Sequence, residues 1–284
     1  ASIAPKYFYD ELGCALYGAI CRLPEYYPTR TEAAIFREHR AEIAAAIGSG
    51  RQFVDLGAGD CCKALAWLPF IEPARYIAVD IARPEIERSL AKMSPDFPEV
   101  EMIGVITDFT KGLALQDVLD DRPATFFYPG SSIGNFTPEE ARRFLASIRA
   151  HGAGLLIGVD AKKDSAMLAA AYDDPLGVTA AFNLNVLCHL NARFGFDFRV
   201  DGFRHVGFYN EREGRIEMHL ESLRAQEVRV GEGTRRFARG ERIHTENSYK
   251  YRAPEFENLL REAGFTGIRR WSNAVESFFV FYAQ

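Results

Sequence analysis

The residues with the clearest chemical potential begin at Asp55-Leu56-Gly57-Ala58-Gly59-Asp60, where the apolar run Phe53-Val54 stops at two glycines one residue apart. Glycine admits positive φ and lets backbone come close to a ligand that a Cβ would hold off. The spacing therefore reads as a strand entering a ligand turn, with a helix over about residues 63–68 aiming its first amides at that ligand. A plain structural corner has the same signature, so the neighbouring residues must decide. Asp80 closes the next apolar run, Tyr76-Ile77-Ala78-Val79, where a carboxylate can accept both hydroxyls of a ribose. Asp108 and Phe109 follow the third run; the acid can accept from an adenine amino group and the ring can stack. A helix cap at Asp80 and a turn at Asp108 are the structural alternatives. A dinucleotide fold would want a third glycine where Cys62 stands, close to the pyrophosphate. An adenosine without phosphates fits better, and S-adenosylmethionine is the expected cofactor, its cationic sulfonium suited by the acidic set. The fourth run ends in Pro129-Gly130-Ser131-Ser132-Ile133-Gly134-Asn135. Thr137 and Glu140 form a capping box, with Pro138 in the first helical turn. Asn135 is thereby left to orient an amine through its amide, or to serve a structural turn.

These residues must be positioned by strand ends. Apolar strands over 53–57, 76–80, 101–106, 125–129 and 154–159 alternate with helices over 63–68, 84–93 and 138–150, a pattern that predicts a parallel sheet covered on both faces. The fold class is a doubly wound, Rossmann-like α/β domain with a second α+β lobe. After Asp160 the spacing predicts a helical stretch over about 164–195, then period-two segments near 203–209, 215–221 and 225–230. A helix over 254–263 leads to strands 267–271 and 277–282, which return to the main sheet. Residues 1–50 read as helical, except that the string from Leu23 to Glu32, two prolines around two tyrosines, predicts an ordered loop. The expected division is 51–161 with 250–284 for the cofactor domain and 1–50 with 162–249 for the substrate lobe.

Composition narrows the partners. The chain has 284 residues, 48% of them apolar, and a formal net charge of −5. Without a basic cluster there is no electrostatic footprint for nucleic acid or an anionic membrane, so the expected partner is a small molecule. No apolar run approaches a membrane span, and no basic segment followed by an apolar one suggests a secretory signal. Five cysteines, with Cys61 and Cys62 adjacent, argue against a disulfide framework and for a reduced cytoplasm. No Cys-x-x-Cys or paired histidine spacing supports a metal site. A monomer is expected.

Several longer strings carry a family resemblance: Phe8-Tyr9-Asp10-Glu11, Leu23-Pro24-Glu25-Tyr26-Tyr27-Pro28-Thr29-Arg30-Thr31-Glu32, Gly130 to Asn135, Ala171-Tyr172-Asp173-Asp174, Ile216-Glu217-Met218 and Thr245-Glu246-Asn247-Ser248. In these the chain resembles the S-adenosylmethionine-dependent histidine Nα-methyltransferases of the ergothioneine pathway. The resemblance implies that Gly57, Lys63, Asp80, Asp108 and Phe109 contact the cofactor. It further implies that Tyr26, Glu246 and Ser248 hold the imidazole beside Met218, that Tyr172 holds the carboxylate, and that Asn135 meets the amino group with Tyr9 close by. The implied reaction is three successive methylations giving hercynine. The residue types suit it, since Glu246 can accept from one ring nitrogen while Ser248 or Tyr26 meets the other. Taken alone, Glu246 and Ser248 also read as an exposed polar strand face, Tyr26 and Tyr172 as core tyrosines and Met218 as core packing. The chain departs from the family at Asp60-Cys61-Cys62, Asn247 and Tyr249. Two other readings stay open: an Nα-methyltransferase of another amino acid such as tryptophan, and a noncatalytic adenosylmethionine sensor.

Overall fold

A computed structural model describes all 284 residues. In chain order the elements are α1 (Glu11–Ile20), α2 (Tyr27–Glu38), α3 (Arg40–Ile47), β1 (Gln52–Leu56), α4 (Cys62–Leu65), α5 (Leu68–Ile71), β2 (Arg75–Asp80) and α6 (Arg83–Met93). There follow β3 (Glu101–Ile106), β4 (Ala124–Tyr128), α7 (Pro138–Ala150), β5 (Gly154–Asp160), α8 (Ser165–Ala170) and α9 (Val178–Phe194). The chain continues through β6 (Phe203–Asn210), β7 (Arg215–Ser222), β8 (Gln226–Val230), β9 (Gly233–Phe237) and β10 (Arg242–Tyr249), and closes with α10 (Ala253–Glu262), β11 (Arg269–Ser272) and β12 (Phe278–Ala283). It divides into two compact units, Ala1–Arg30 with Lys162–Lys250 and Thr31–Ala161 with Tyr251–Gln284.

In the second of these units seven strands form one sheet in the order β11-β12-β5-β4-β1-β2-β3. Strands β1 to β5 are parallel, while β12 returns antiparallel to β5 and β11 pairs antiparallel with β12. Every residue of β1, β4, β5 and β12 is buried, which is why these runs are continuously apolar rather than alternating. The unit begins at Thr31, twenty residues before the expected boundary at residue 51. The reason lies in Ile35, Ile43 and Ile47, which are buried in one cluster with Phe53, Trp67, Tyr76 and Phe127. The Nε1–H of Trp271 also donates to Glu42 at 2.8 Å. The expected loop over Leu23–Glu32 is likewise half helix: α2 starts at Tyr27, and Pro28 falls in its first turn, where a missing amide hydrogen costs nothing. The helix expected over 63–68 is two four-residue helices, α4 and α5. Pro69 has no N–H for the carbonyl of Leu65, so the first helix cannot run on.

The other unit is built on an antiparallel sheet of order β10-β7-β6, with β8 and β9 as a separate hairpin. Helix α9 supplies Phe182, Val186, Leu187 and Leu190 to a core that also holds Phe8, Tyr26, Met218 and Leu220. The single helical stretch expected over 164–195 is interrupted between α8 and α9. There Asp174 accepts the Val178 and Thr179 amides at 3.0 and 2.7 Å and so starts α9 afresh, just after Pro175 and a left-handed Gly177 with φ 74°. Asp160 and Tyr172 are thus carried on turns and strand ends rather than inside a helix.

Candidate functional site

Around the ends of β1 to β4 the sheet unit assembles the expected cofactor residues. Gly57 and Gly59 take φ of 71° and 53°, values that a Cβ would strain. The Gly57 amide returns to the Val79 carbonyl at 2.8 Å, and the Gly59 amide donates to Asp80 Oδ2 at 3.0 Å. Asp80 also accepts the Ala82 amide at 3.0 Å. Its carboxylate thus clips the glycine turn to the end of β2, and each oxygen keeps a further lone pair for hydroxyl donors. Asp108 opens a short 3-10 turn, Phe109–Lys111. The Phe109 ring lies 3.8 Å from where a Cβ on Gly57 would begin and stands edge-on to Tyr128 at 5.9 Å. The amide-rich helix start expected at Lys63 is absent, because α4 is short and its Cys62 amide is taken by Asp60 Oδ1 at 3.1 Å. The cradle is acidic and lacks an anion site, which suits an adenosine carrying a sulfonium.

Lys63 has a partner that its sequence position does not reveal. Its ammonium meets Glu32 Oε2 at 2.7 Å, and Glu32 Oε1 accepts the Gly130 amide at 2.6 Å. Glu32 is 1% exposed, so this pair locks α2, α4 and the end of β4 together. Gly158 makes room for it, since a Cβ there would fall 1.9 Å from Glu32 Oε1. A glycine inside an apolar strand marks close approach of another group, and that was the one sequence signal for Glu32. Beneath the turn, Asp55 is buried and accepts from Tyr76 Oη at 2.9 Å. Burial raises its carboxyl to about 7, against the opposing pull of the Tyr76 hydroxyl and Lys63. Asn135 ends the 3-10 turn Ser132–Asn135 and is half-buried. The capping box at Thr137 and Glu140 forms as expected, Thr137 Oγ1 accepting the Glu140 amide at 3.3 Å.

In the other unit β10 carries the expected substrate residues. A bulge between His244 and Glu246 resets its register, so that Glu246 lies opposite Met218 and Ser248 opposite Ile216, on one face of the sheet. That face borders a small cavity lined by Tyr17, Tyr26, Tyr172, Phe182, Met218 and Glu246, among others. Tyr26 and Tyr172 meet edge to face at 5.9 Å. Burial holds the phenols of Tyr17 and Tyr26 far above their usual range, so both stay protonated donors. Ser248 sits behind the cavity wall, its Oγ 2.9 Å from Tyr172 Oη. Lys250, buried to 1% exposure, donates to both hydroxyl oxygens at 2.9 Å. Tyr9 does not line the cavity; it packs edge-on against Tyr17 and Phe182, each at 6.0 Å. Tyr17 and Lys250 escaped the sequence reading, because neither stands in a spacing that singles it out.

The opposite face of the same sheet gathers Glu217, His219 and His244. Glu217 accepts from Asn210, Arg215 and His219, each at 2.9 Å. Burial alone would raise its carboxyl, but these donors hold it down to about 2. Arg215 also lies on the carboxylate and the two imidazoles stack at 4.8 Å, while the buried Nδ1 of His219 has no hydrogen-bond partner.

A parallel sheet ending in an antiparallel strand, a glycine turn after β1 and acids closing β2 and following β3 together define an S-adenosylmethionine-dependent methyltransferase. The fold is shared with the CcbJ methyltransferase of Streptomyces caelestis, at a TM-score of 0.51 and 13% identity over 88% of this chain and 95% of that one. The profile of the family described as "Histidine-specific methyltransferase, SAM-dependent" matches residues 1–284, and the chain belongs to that family. It is 40% identical to a histidine N-alpha-methyltransferase of Mycolicibacterium smegmatis, over 98% of this chain and 88% of that protein. It is also 33% identical to ergothioneine biosynthesis protein 1 of Neurospora crassa, over 93% of this chain and 31% of that longer protein. No helix is long and apolar enough to cross a membrane.

Proposed function

We infer that the protein methylates the α-amino nitrogen of L-histidine, three times in succession, to give the betaine hercynine of ergothioneine biosynthesis. The observation that carries this reading is the cavity in which Glu246 faces Met218 beneath Tyr26 and Tyr172. A carboxylate in a largely aromatic and apolar cavity suits a ligand with a ring N–H to give. Tyr26 meets the second ring nitrogen, and Tyr172 donates to the carboxylate. This set disfavours an indole, which is larger and has one N–H and no ring acceptor.

The cofactor supplies an electrophilic methyl on a sulfonium. Asp80 accepts from its ribose, Asp108 from the adenine amino group, and Phe109 covers the ring, while Gly57 and Lys63 hold the remainder. Asn135 orients the amine so that its lone pair is available, and the released proton passes to water. Positioning of the two reactants carries most of the acceleration in such a displacement. The test is mass spectrometry of L-histidine incubated with the protein and S-adenosylmethionine. A gain of three methyl groups is expected; an unchanged mass, or a preference for tryptophan in a competition, overturns the reading.

A further inference from the structure

We propose that His205 is the positioning residue for Tyr172: its neutral imidazole holds the Tyr172 backbone, and a proton on the ring frees that backbone and weakens substrate binding. The inference rests on the function just proposed, in which Tyr172 meets the substrate carboxylate. It goes beyond that function in making the contact depend on a second residue and on pH.

The hydrogen bonds fix the state of the ring. His205 Nε2 lies 2.9 Å from the backbone carbonyl of Tyr172, and a carbonyl only accepts, so Nε2 carries the hydrogen. His205 Nδ1 lies 2.7 Å from Asn183 Nδ2. That amide nitrogen also donates to the His219 carbonyl at 3.0 Å, which fixes the orientation of the side chain, because turning it over would set two oxygens against each other. Its second hydrogen goes to Nδ1, which must receive it with a bare lone pair. A further proton has no place there. On Nδ1 it would face the amide N–H, and Asn183, buried to 0% exposure, cannot turn to accept it without losing the His219 carbonyl. Gly207, two positions along β6, makes the contact possible. A Cβ there would fall 2.6 Å from the Tyr172 carbonyl oxygen and 3.0 Å from His205 Nε2, so the glycine lets the turn after α8 reach the strand. The charged groups facing the ring come from that turn: Asp173, whose Oδ1 lies 3.8 Å from Nε2, and Asp174. Helix α9 presents Asn183, and β7 sets Leu220 opposite His205 in register; neither titrates. Burial lowers the ring below its ordinary 6.5, against the opposing pulls of the Tyr172 carbonyl, Asp173 and Asp174. The neutral, holding form therefore prevails above that value and is lost as pH falls through the lowered one.

The experiment is calorimetric titration of L-histidine into the protein saturated with S-adenosylhomocysteine, at about pH 7.5 and about pH 5, for wild type, His205→Gln and His205→Leu. Glutamine keeps an N–H for the Tyr172 carbonyl and an oxygen for Asn183, and it has no proton to gain. His205→Gln should bind within about threefold of wild type at the higher pH and lose at least about threefold less affinity than wild type in acid. The substrate and Glu246 titrate in both proteins, so only the imidazole of His205 separates the two profiles. His205→Leu, with neither group, should lose about tenfold at the higher pH, while S-adenosylhomocysteine affinity stays within about twofold. Parallel acid losses in wild type and His205→Gln, or wild-type affinity in His205→Leu, overturn the proposal. Should His205→Leu fail to fold, the His205→Gln profile decides. Nitrogen NMR of the ligand-free protein reads the same ring independently. The pattern of a neutral Nε2–H tautomer, missing in His205→Gln, is expected, and an imidazolium at about pH 7.5 refutes the proposal. Wild type that binds no histidine at the higher pH would instead refute the functional reading itself, on which the NMR result does not depend.

Discussion

Asp55 shows how the cofactor turn is stabilised at some cost. Its carboxyl is raised from 3.8 to about 7, so the folded protein binds that proton more tightly than the unfolded chain. Stability from this group is complete below pH 3.8 and is lost as pH rises towards 7. Asp55→Asn, which keeps an acceptor for Tyr76, should therefore change stability little near pH 4 and raise it at pH 8, by on the order of 2–4 kcal/mol. Chemical denaturation at the two pH values checks this; an equal effect at both would place the shift elsewhere. Glu246→Ala should weaken L-histidine binding by at least tenfold and leave S-adenosylhomocysteine binding unchanged, because the residue lines the cavity of its own unit. Equal losses of the two ligands in calorimetry would remove its assigned role. At this scale the sequence was readable where a residue closes an apolar run, as Asp80 and Asp108 do. It was silent where function depends on a distant partner: Glu32 reaches Gly130 across 98 positions, and His205 reaches Tyr172 across 33.

Elements place these groups, and their weak points are local. The tip of α7 is held by the Thr137–Glu140 box, with the Thr137 amide also donating to Glu140 at 2.9 Å. Thr137→Ala should cost about 1 kcal/mol of stability by urea denaturation, with little change in cofactor affinity. Strand β5 is more demanding. A methyl at Gly158 would collide with the Glu32 carboxylate, and both would have to move inside a buried layer. Gly158→Ala should cost roughly 2–4 kcal/mol through overpacking and a disturbed buried ion pair, and should weaken cofactor binding as Lys63 loses its anchor. A stable Gly158→Ala with wild-type affinity would show that Glu32 can turn aside. Elements of the main sheet were legible because each strand is one apolar run. The break between α8 and α9 has a local signal too, Asp174-Pro175-Leu176-Gly177, whose turn residues outweigh the helical composition on either side. Strand β9, Gly-Thr-Arg-Arg-Phe, is almost wholly exposed and offers no buried face to detect.

For the whole molecule, the sheet unit was foreseeable from periodicity and the other unit only in outline, since its strands are half-buried and its helices are separated by turns. Each unit is assembled from two stretches of chain, which periodicity, a local signal, cannot join. The boundary moved from residue 51 to Thr31 for the same reason: the destination of α2 and α3 depends on what they pack against. Strand β12, six buried residues in register with Leu155 to Asp160, completes the sheet from the far end of the sequence. Deleting residues 278–284 should leave β5 without its neighbour and give an aggregating product in place of a weakened enzyme, as size-exclusion chromatography would show; a soluble monomer would argue otherwise. The same feature fixes a timetable for biosynthesis. Because β12 is made long after β5, a chain emerging from the ribosome carries the apolar margin Leu155-Leu156-Ile157 uncovered for more than a hundred residues of elongation. The sheet unit cannot finish before β12 has emerged, so the protein is expected to depend on chaperones that shield such a margin during translation.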